Sequence, residues 1–247
     1  ALAVLAASGA ALAQSSVTIY GRLDASVGSM DKIGTGSDTK LFSGGEVGLT
    51  TPRLGFIGSE DLGGGLKATF KLEQRIDIDT GALQSPSFKG ESSVGLAGGF
   101  GAVRLGRMTN PYDDARALSN KFNLFDSNGF TPTNAVFKTG GANADYSSRQ
   151  NGMIRYDSPS FGGVYGAVSH AFEQTAGADD TVTSLLLGYK AGGLNAALSV
   201  HDEKTKQAYT ALVAAYDFGS FALSGGYNTR KADLATGGKD NEYSFGV

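Results

Sequence analysis

Few residues in this chain have the types and spacing that chemistry requires. There is no cysteine among its 247 residues and only two histidines, His170 and His201, which excludes disulfides, thiolate metal sites and cysteine nucleophiles together. A two-histidine zinc site or a catalytic triad would have to use one of these imidazoles, and neither lies in a recognisable catalytic motif. His201 with Asp202 is the one weak candidate for a hydrolase base. Gly63-Gly-Gly65-Leu-Lys67 is glycine-rich, but it lacks the GxxxxGK[ST] spacing and joins two strands rather than a strand to a helix. The acid pairs Glu60-Asp61 and Asp179-Asp180 fall in turns or loops, and nothing places them against a substrate. The expectation is a protein that is not an enzyme and that carries no cofactor or metal.

What recurs instead is charge at alternate positions. Arg22 and Asp24, Arg53, Lys67, Lys71, Glu73 and Arg75, and Arg155 and Asp157 stack on the polar sides of their segments. If the opposite, apolar sides meet lipid, these charges must line water, and a lumen lined by fixed charges filters ions and small solutes by size and field. The solvated face of a soluble sheet accounts for any one of these segments, though less well for all of them.

The elements that would carry these charges are long strands. Odd positions from Val17 to Val27 are apolar or glycine and even positions polar, a period of two over eleven residues. Leu66, Ala68, Phe70, Leu72 and Ile76 form a second apolar face that only Gln74 interrupts. About twelve such strands can be read along the chain. Tight turns at Asp61–Gly65, Gly98-Gly99, Ser158–Ser160, Ala191–Gly193 and Asp217–Ser220 alternate with longer polar segments near 29–49, 78–87, 109–150, 174–181, 202–206 and 230–241. Strands of eleven residues, at ~3.3 Å each and tilted, cover the apolar band of a bilayer, and short turns opposite long loops are what outer-membrane barrels have. Tyr156, Tyr189, Tyr216, Phe218 and Phe221 share the apolar side near the short turns, as an interfacial girdle would. The fold class expected is all-β, a transmembrane antiparallel up-and-down β-barrel. A secreted β-sandwich adhesin or lectin is the alternative.

Composition agrees with an ordered β-protein. The 37 glycines come without a triplet period or proline enrichment, and 40% of the residues are hydrophobic. A net charge of −3 removes the electrostatic footprint of a nucleic-acid binder. Residues 1–13, ALAVLAASGAALA, read as the apolar core and A-x-A-like cleavage site of an export signal, leaving 14–247 as the barrel domain.

The segment from Thr109 to Ser148 has no strand signal and is far longer than usual connections. It carries Asp113, Asp114, Arg116, Lys121, Asp126 and Lys138 among four phenylalanines, a composition that predicts an inward fold against the wall. A short helix is expected over Asp113–Asn120, with Asn110-Pro111 as cap and first turn. Lys67, Lys71, Arg75 and Arg155 are expected to face Asp113, Asp114 and Asp126 across the gap.

Several stretches resemble the general porins of β-proteobacteria: QSSVTIYGRLDAS at 14–26, RLGFIGSEDLGGGLKATFKLE at 53–73, SVGLAGGFGAVRLGRMTNPYD at 93–113, IRYDSPSFGGVYGAVSHAF at 154–172 and YDFGSFALSGGYN at 216–228. The resemblance implies a sixteen-stranded homotrimeric barrel in the outer membrane of a Gram-negative bacterium, among outer-membrane lipid and lipopolysaccharide, passing ions and small solutes passively. It also implies a third long loop folded into the pore opposite a basic wall patch. Glu73 and Arg107 match family-typical residues, and Asp113 and Asp114 open that loop. Ile57 and Gly90 stand where relatives commonly carry basic residues, which thins the usual cluster. With twelve readable strands against sixteen, the chain is expected to lack the C-terminal strands and not to form a native channel alone.

Overall fold

The computed structural model describes residues 16–32, 36–44, 50–119, 148–204, 206–232 and 238–247. The expected export segment at 1–13, together with Lys121, Asp126 and the four phenylalanines between 122 and 137, lies outside these residues. The strands are β1 (Ser16–Arg22), β2 (Ser26–Lys32), β3 (Gly36–Phe42), β4 (Arg53–Gly63), β5 (Leu66–Asp77), β6 (Ala82–Leu83), β7 (Glu91–Gly98) and β8 (Gly101–Thr109). After the helix α1 (Pro111–Ser119) come β9 (Arg149–Asp157), β10 (Val164–Ala171), β11 (Val182–Ala191), β12 (Leu194–Glu203), β13 (Gln207–Asp217), β14 (Ala222–Ala232) and β15 (Lys239–Gly246).

Thirteen of these strands form one antiparallel sheet, twelve of them in the order β1-β4-β5-β7-β8-β9-β10-β11-β12-β13-β14-β15, each bonded to its neighbour in that path, with the short β6 paired to β5 beside it. Up-and-down order follows from the turns. Gly63, Gly64 and Gly65 sit at φ of 85°, 61° and 80° between β4 and β5, a reversal that a side chain would strain.

Directly paired residues share a face, so the register carries one face across the sheet. Tyr20 pairs with Gly55 and Gly55 with Glu73, Arg104 pairs with Arg155, and Ser184 pairs with His201 and His201 with Tyr209. We call this the inner face, because α1 lies on it. The other face carries Val94, Leu105, Leu187, Leu198 and Leu212, all exposed. Along β11 and β13 buried and exposed residues alternate as the sequence pattern predicts. Among the described residues no second sheet packs on the outer face, which a β-sandwich would require. Tyr189, Tyr216, Phe218 and Phe221 are exposed on that outer side beside the short turns, with Phe218 stacked on Phe221 at 4.7 Å.

Two expectations about strands change. The alternation from 17 to 27 is not one strand: β1 ends at Arg22, and β2 pairs with β3 as a separate hairpin inside what read as a polar loop. The Asp24 carboxylate accepts the Thr50 amide at 2.6 Å, a side chain to backbone bond that competes with continuing the ladder. Gln74, the polar interruption on the outer face of β5, is covered by the segment after β5. Its amide donates to the Arg75 and Gln84 carbonyls at 2.8 and 3.0 Å and its oxygen accepts from the Phe88 amide at 2.5 Å.

The face assignment predicts that Leu187→Arg, mid-strand and outward (55% exposed), costs about 2–4 kcal/mol of stability in lipid vesicles. Urea unfolding measures it. Equal tolerance of arginine at Leu187 and at the inward Thr69 would reverse the faces.

Candidate functional site

The inner face is organised by α1, and the local sequence explains why the chain turns helical there. Pro111 needs no amide partner in a first turn, the Asn110 side-chain oxygen accepts the Asp113 amide at 2.9 Å as an N-cap, and Asp113 and Asp114 fall in the first turn, where the helix dipole favours acids. The helix lies against β11, β12 and β13. Its seat is made by small side chains: Ala167, Ala197 and Ala211 leave room for Tyr112 and Ala115, both fully buried. The Tyr112 hydroxyl donates to Asn228 Oδ1 of β14, and its ring lies 5.6 Å from both His201 and Tyr209. Burial pushes the Tyr112 phenol well above its ordinary value, with Tyr209 and Glu242 adding to the shift.

The opposite part of the inner face is a network of fixed charges. Glu73 meets Arg75 at 3.0 Å and Arg53 at 3.7 Å and accepts the Tyr20 hydroxyl at 2.9 Å. A second series runs from β5 to the helix. Lys71 meets Glu91 at 2.8 Å, Arg104 bridges Glu91 at 3.5 Å and Asp157 at 2.8 Å, and Arg155 joins Asp157 at 2.6 Å to Asp114 of α1. Arg155 also donates to the Thr109 carbonyl at 2.9 Å, so one buried guanidinium ties the end of β8, the wall and α1 together.

Of the sequence-predicted residues, Arg22, Arg53, Lys67, Lys71, Glu73, Arg75 and Arg155 all take inner-face register positions. Asp114 meets a wall cation, Arg155, as expected. Asp113 pairs with Arg116 within the helix at 3.1 Å, while Lys71 and Arg75 meet wall acids. Lys121 and Asp126 lie outside the described residues. Asp24 is off the wall, holding Thr50.

Arg107 is a correction. It pairs with Ser92, an odd number of residues from the inward Arg104, and therefore faces outward. Arg104 and Glu91 are the inner-face residues that sequence reading missed. The alternation of Ala102, Arg104 and Gly106 in β8, and of Glu91, Ser93 and Gly95 in β7, carried the signal.

The histidine expectation also changes partners. Asp202 alternates to the outer face, and Glu203 lies 3.3 Å from His201 Nε2 while Ser184 Oγ lies 2.5 Å from Nδ1. This serine, histidine and carboxylate series sits under Tyr112 and Tyr209 with His201 0% exposed, closed to any substrate.

A family model described as Gram-negative porin matches residues 1–247. Among curated proteins, outer membrane porin protein 32 of Delftia acidovorans is 40% identical over 263 residues, covering 100% of this chain and 74% of that protein. Major outer membrane protein P.IB of Neisseria gonorrhoeae is 33% identical over 186 residues, covering 73% of this chain and 50% of that one. Among solved structures, the anion-selective porin from Comamonas acidovorans matches with a TM-score of 0.76 at 33% identity, over 94% of this chain and 73% of that chain. Salmonella typhi OmpF, at 14% identity and a TM-score of 0.62 over 93% of this chain and 72% of that chain, shares the fold.

The seat of α1 yields a prediction. Tyr112→Phe removes the bond to Asn228, which costs about 0.5–1.5 kcal/mol. Limited proteolysis should then cut the segment after β8 faster, with little change in the melting of the sheet. Unchanged cleavage would mean that the hydroxyl does not hold the helix.

Proposed function

The chain belongs to the Gram-negative porin family of outer-membrane proteins, and on that footing we propose that it forms a water-filled channel for passive diffusion of ions and small hydrophilic solutes. The observation that carries this reading is the division of one continuous sheet into an apolar outer face and a charged inner face on which α1 is seated. An apolar face of that extent is a liability in water and an asset in lipid. The segment after β8 constricts the lumen: α1 is its anchored start, held by Tyr112 on one side and by Asp114 on Arg155 at the other. The proposed pore-lining residues are Arg22, Arg53, Lys67, Lys71, Glu73, Arg75, Arg104 and Arg155, with Asp113, Asp114, Arg116, Lys121 and Asp126 on the constricting segment. Residues 1–13 are the proposed export signal, and the assembly is a homotrimer.

On β4 to β9 the inner register holds six cations (Arg53, Lys67, Lys71, Arg75, Arg104, Arg155) against five acids (Asp61, Glu73, Asp77, Glu91, Asp157). A surplus of fixed positive charge at a narrow passage favours anions, and the solved Comamonas acidovorans porin is described as anion-selective. We propose the same preference here.

Lys71→Glu with Lys67→Glu tests it, since both side chains sit on the wall without anchoring α1. The zero-current potential across a salt gradient should move toward cation preference, and further at low salt, where screening is weak. An unmoved potential in a conducting preparation would remove these lysines from the permeation path.

A further inference from the structure

Along the inner registers of β4 and β5, Ile57 is the one large hydrocarbon side chain among charged, hydroxyl and glycine positions, and it is 46% exposed. Beside it an aromatic ring lies across the wall. Tyr20 of β1 pairs with Gly55, where a Cβ would fall 2.3 Å from the ring. The glycine therefore lets the phenol cross β4 and donate its hydroxyl to Glu73 of β5 at 2.9 Å. Gly55 and Ile57 are alternate residues of one strand, so the ring and the isoleucine sit side by side on the same face. Together they make an apolar step on a wall that is otherwise polar.

Groups that both donate and accept border this step. Thr18 pairs with Ile57, and Ser59 pairs with Thr69 on the same face. Among the described residues none of these three hydroxyls has a hydrogen-bond partner, and each can serve as donor or acceptor. Lys71 pairs with Ile57 from the other side, its ammonium 2.8 Å from Glu91. The hydroxyls, Ile57 and Lys71 line a cleft of about 250 Å³. Pockets for drug-sized ligands begin near ~300 Å³, so this one suits a single ring. A pyranose has the matching polarity. Its ring C–H groups form an apolar face that leaves water for an aromatic or aliphatic surface, while its hydroxyls exchange hydrogen bonds at the rim. An acyclic polyol has the hydroxyls without the face, and a small inorganic anion has neither.

We propose that Tyr20 and Ile57, with Thr18, Ser59, Thr69 and Lys71, form a station on the inner wall that holds a neutral monosaccharide in its pyranose form, with the sugar's C–H face on the ring and the isoleucine. The station names a solute class for the channel and rests on that reading for the way the sugar reaches the wall. Passage requires that the sugar be held weakly enough to leave, which a shallow cleft with one apolar step provides.

Saturation-transfer NMR of methyl β-glucopyranoside, with the full chain in a zwitterionic detergent free of sugar, reads contact without requiring conduction. Transfer should be stronger at the ring protons of one face than at those of the other. It should fall several-fold with Ile57→Ala or Tyr20→Ala, persist in Tyr20→Phe, which keeps the ring, and stay unchanged in Leu187→Ala on the outer wall. Ile57 is exposed, so its truncation tests the step even if Tyr20→Ala disturbs the fold. Mannitol at equal concentration should compete poorly. Undiminished transfer in Ile57→Ala, or equal competition by mannitol, would overturn the station. In a conducting preparation the same glycoside should lower the ion current saturably, and Ile57→Ala should weaken that block several-fold. A chain that binds the glycoside through Ile57 but conducts no ions would support the station and count against the channel alone, whereas a conducting chain that gives no transfer would overturn the station and leave the channel standing.

Discussion

Hydrocarbon offers the backbone nothing to bond with, so every N–H and C=O that crosses it must find a partner within the protein. The continuous antiparallel ladder from β1 to β15 is the response to that constraint, and the other features of the chain are arranged around it. Because pairing is neighbour to neighbour, direct pairs hold one face in common and the inner and outer chemistries separate over the whole sheet. Exceptions occur where the ladder is disturbed. At Gln74 a polar side chain points outward because the segment after β5 covers it, and at the Gly106 bulge two arginines turn to the outside.

The inner face solves a different problem, that of holding an irregular segment against a wall without closing the space beside it. Small residues on β10, β12 and β13 make a dry seat for Tyr112 and Ala115, so apolar packing fixes one side of α1. Its other side is fixed by charge, through the series that ends at Asp157, Arg155 and Asp114. Exposed ion pairs contribute little to stability, but Arg155 is nearly buried and tied at several points. A half-broken network there would leave a charge without its partner, which costs far more than the intact pair contributes. Position, and with it the spacing of charge across the inner space, is what this network secures.

Much of the site was legible because a strand's side-chain period is two. Lys67, Lys71, Glu73 and Arg75 declare a common face by spacing alone, and the Asn110-Pro111 start with acids following declares a helix. The same rule also holds where the reading went astray. Arg107 is an odd step from Arg104, and Asp202 is one residue off His201, so alternation already places both outward; the choice of Arg107 followed family resemblance and that of Asp202 followed adjacency. Asp24 required more, since its bond to Thr50 joins residues 26 apart.

The sequence by itself therefore determined the class of the protein, the two chemistries of its wall and the start of its helix, because local period, turn residues and caps are short-range properties. Which charges meet was decided only by tertiary structure. Lys71 chose Glu91 rather than the helix acids, Arg104 joined two acids from different strands, and Arg149 was turned outward by a bulge that alternation does not foresee. Ion pairs depend on distances of a few ångströms between residues remote in the chain, and one inserted residue reverses a face.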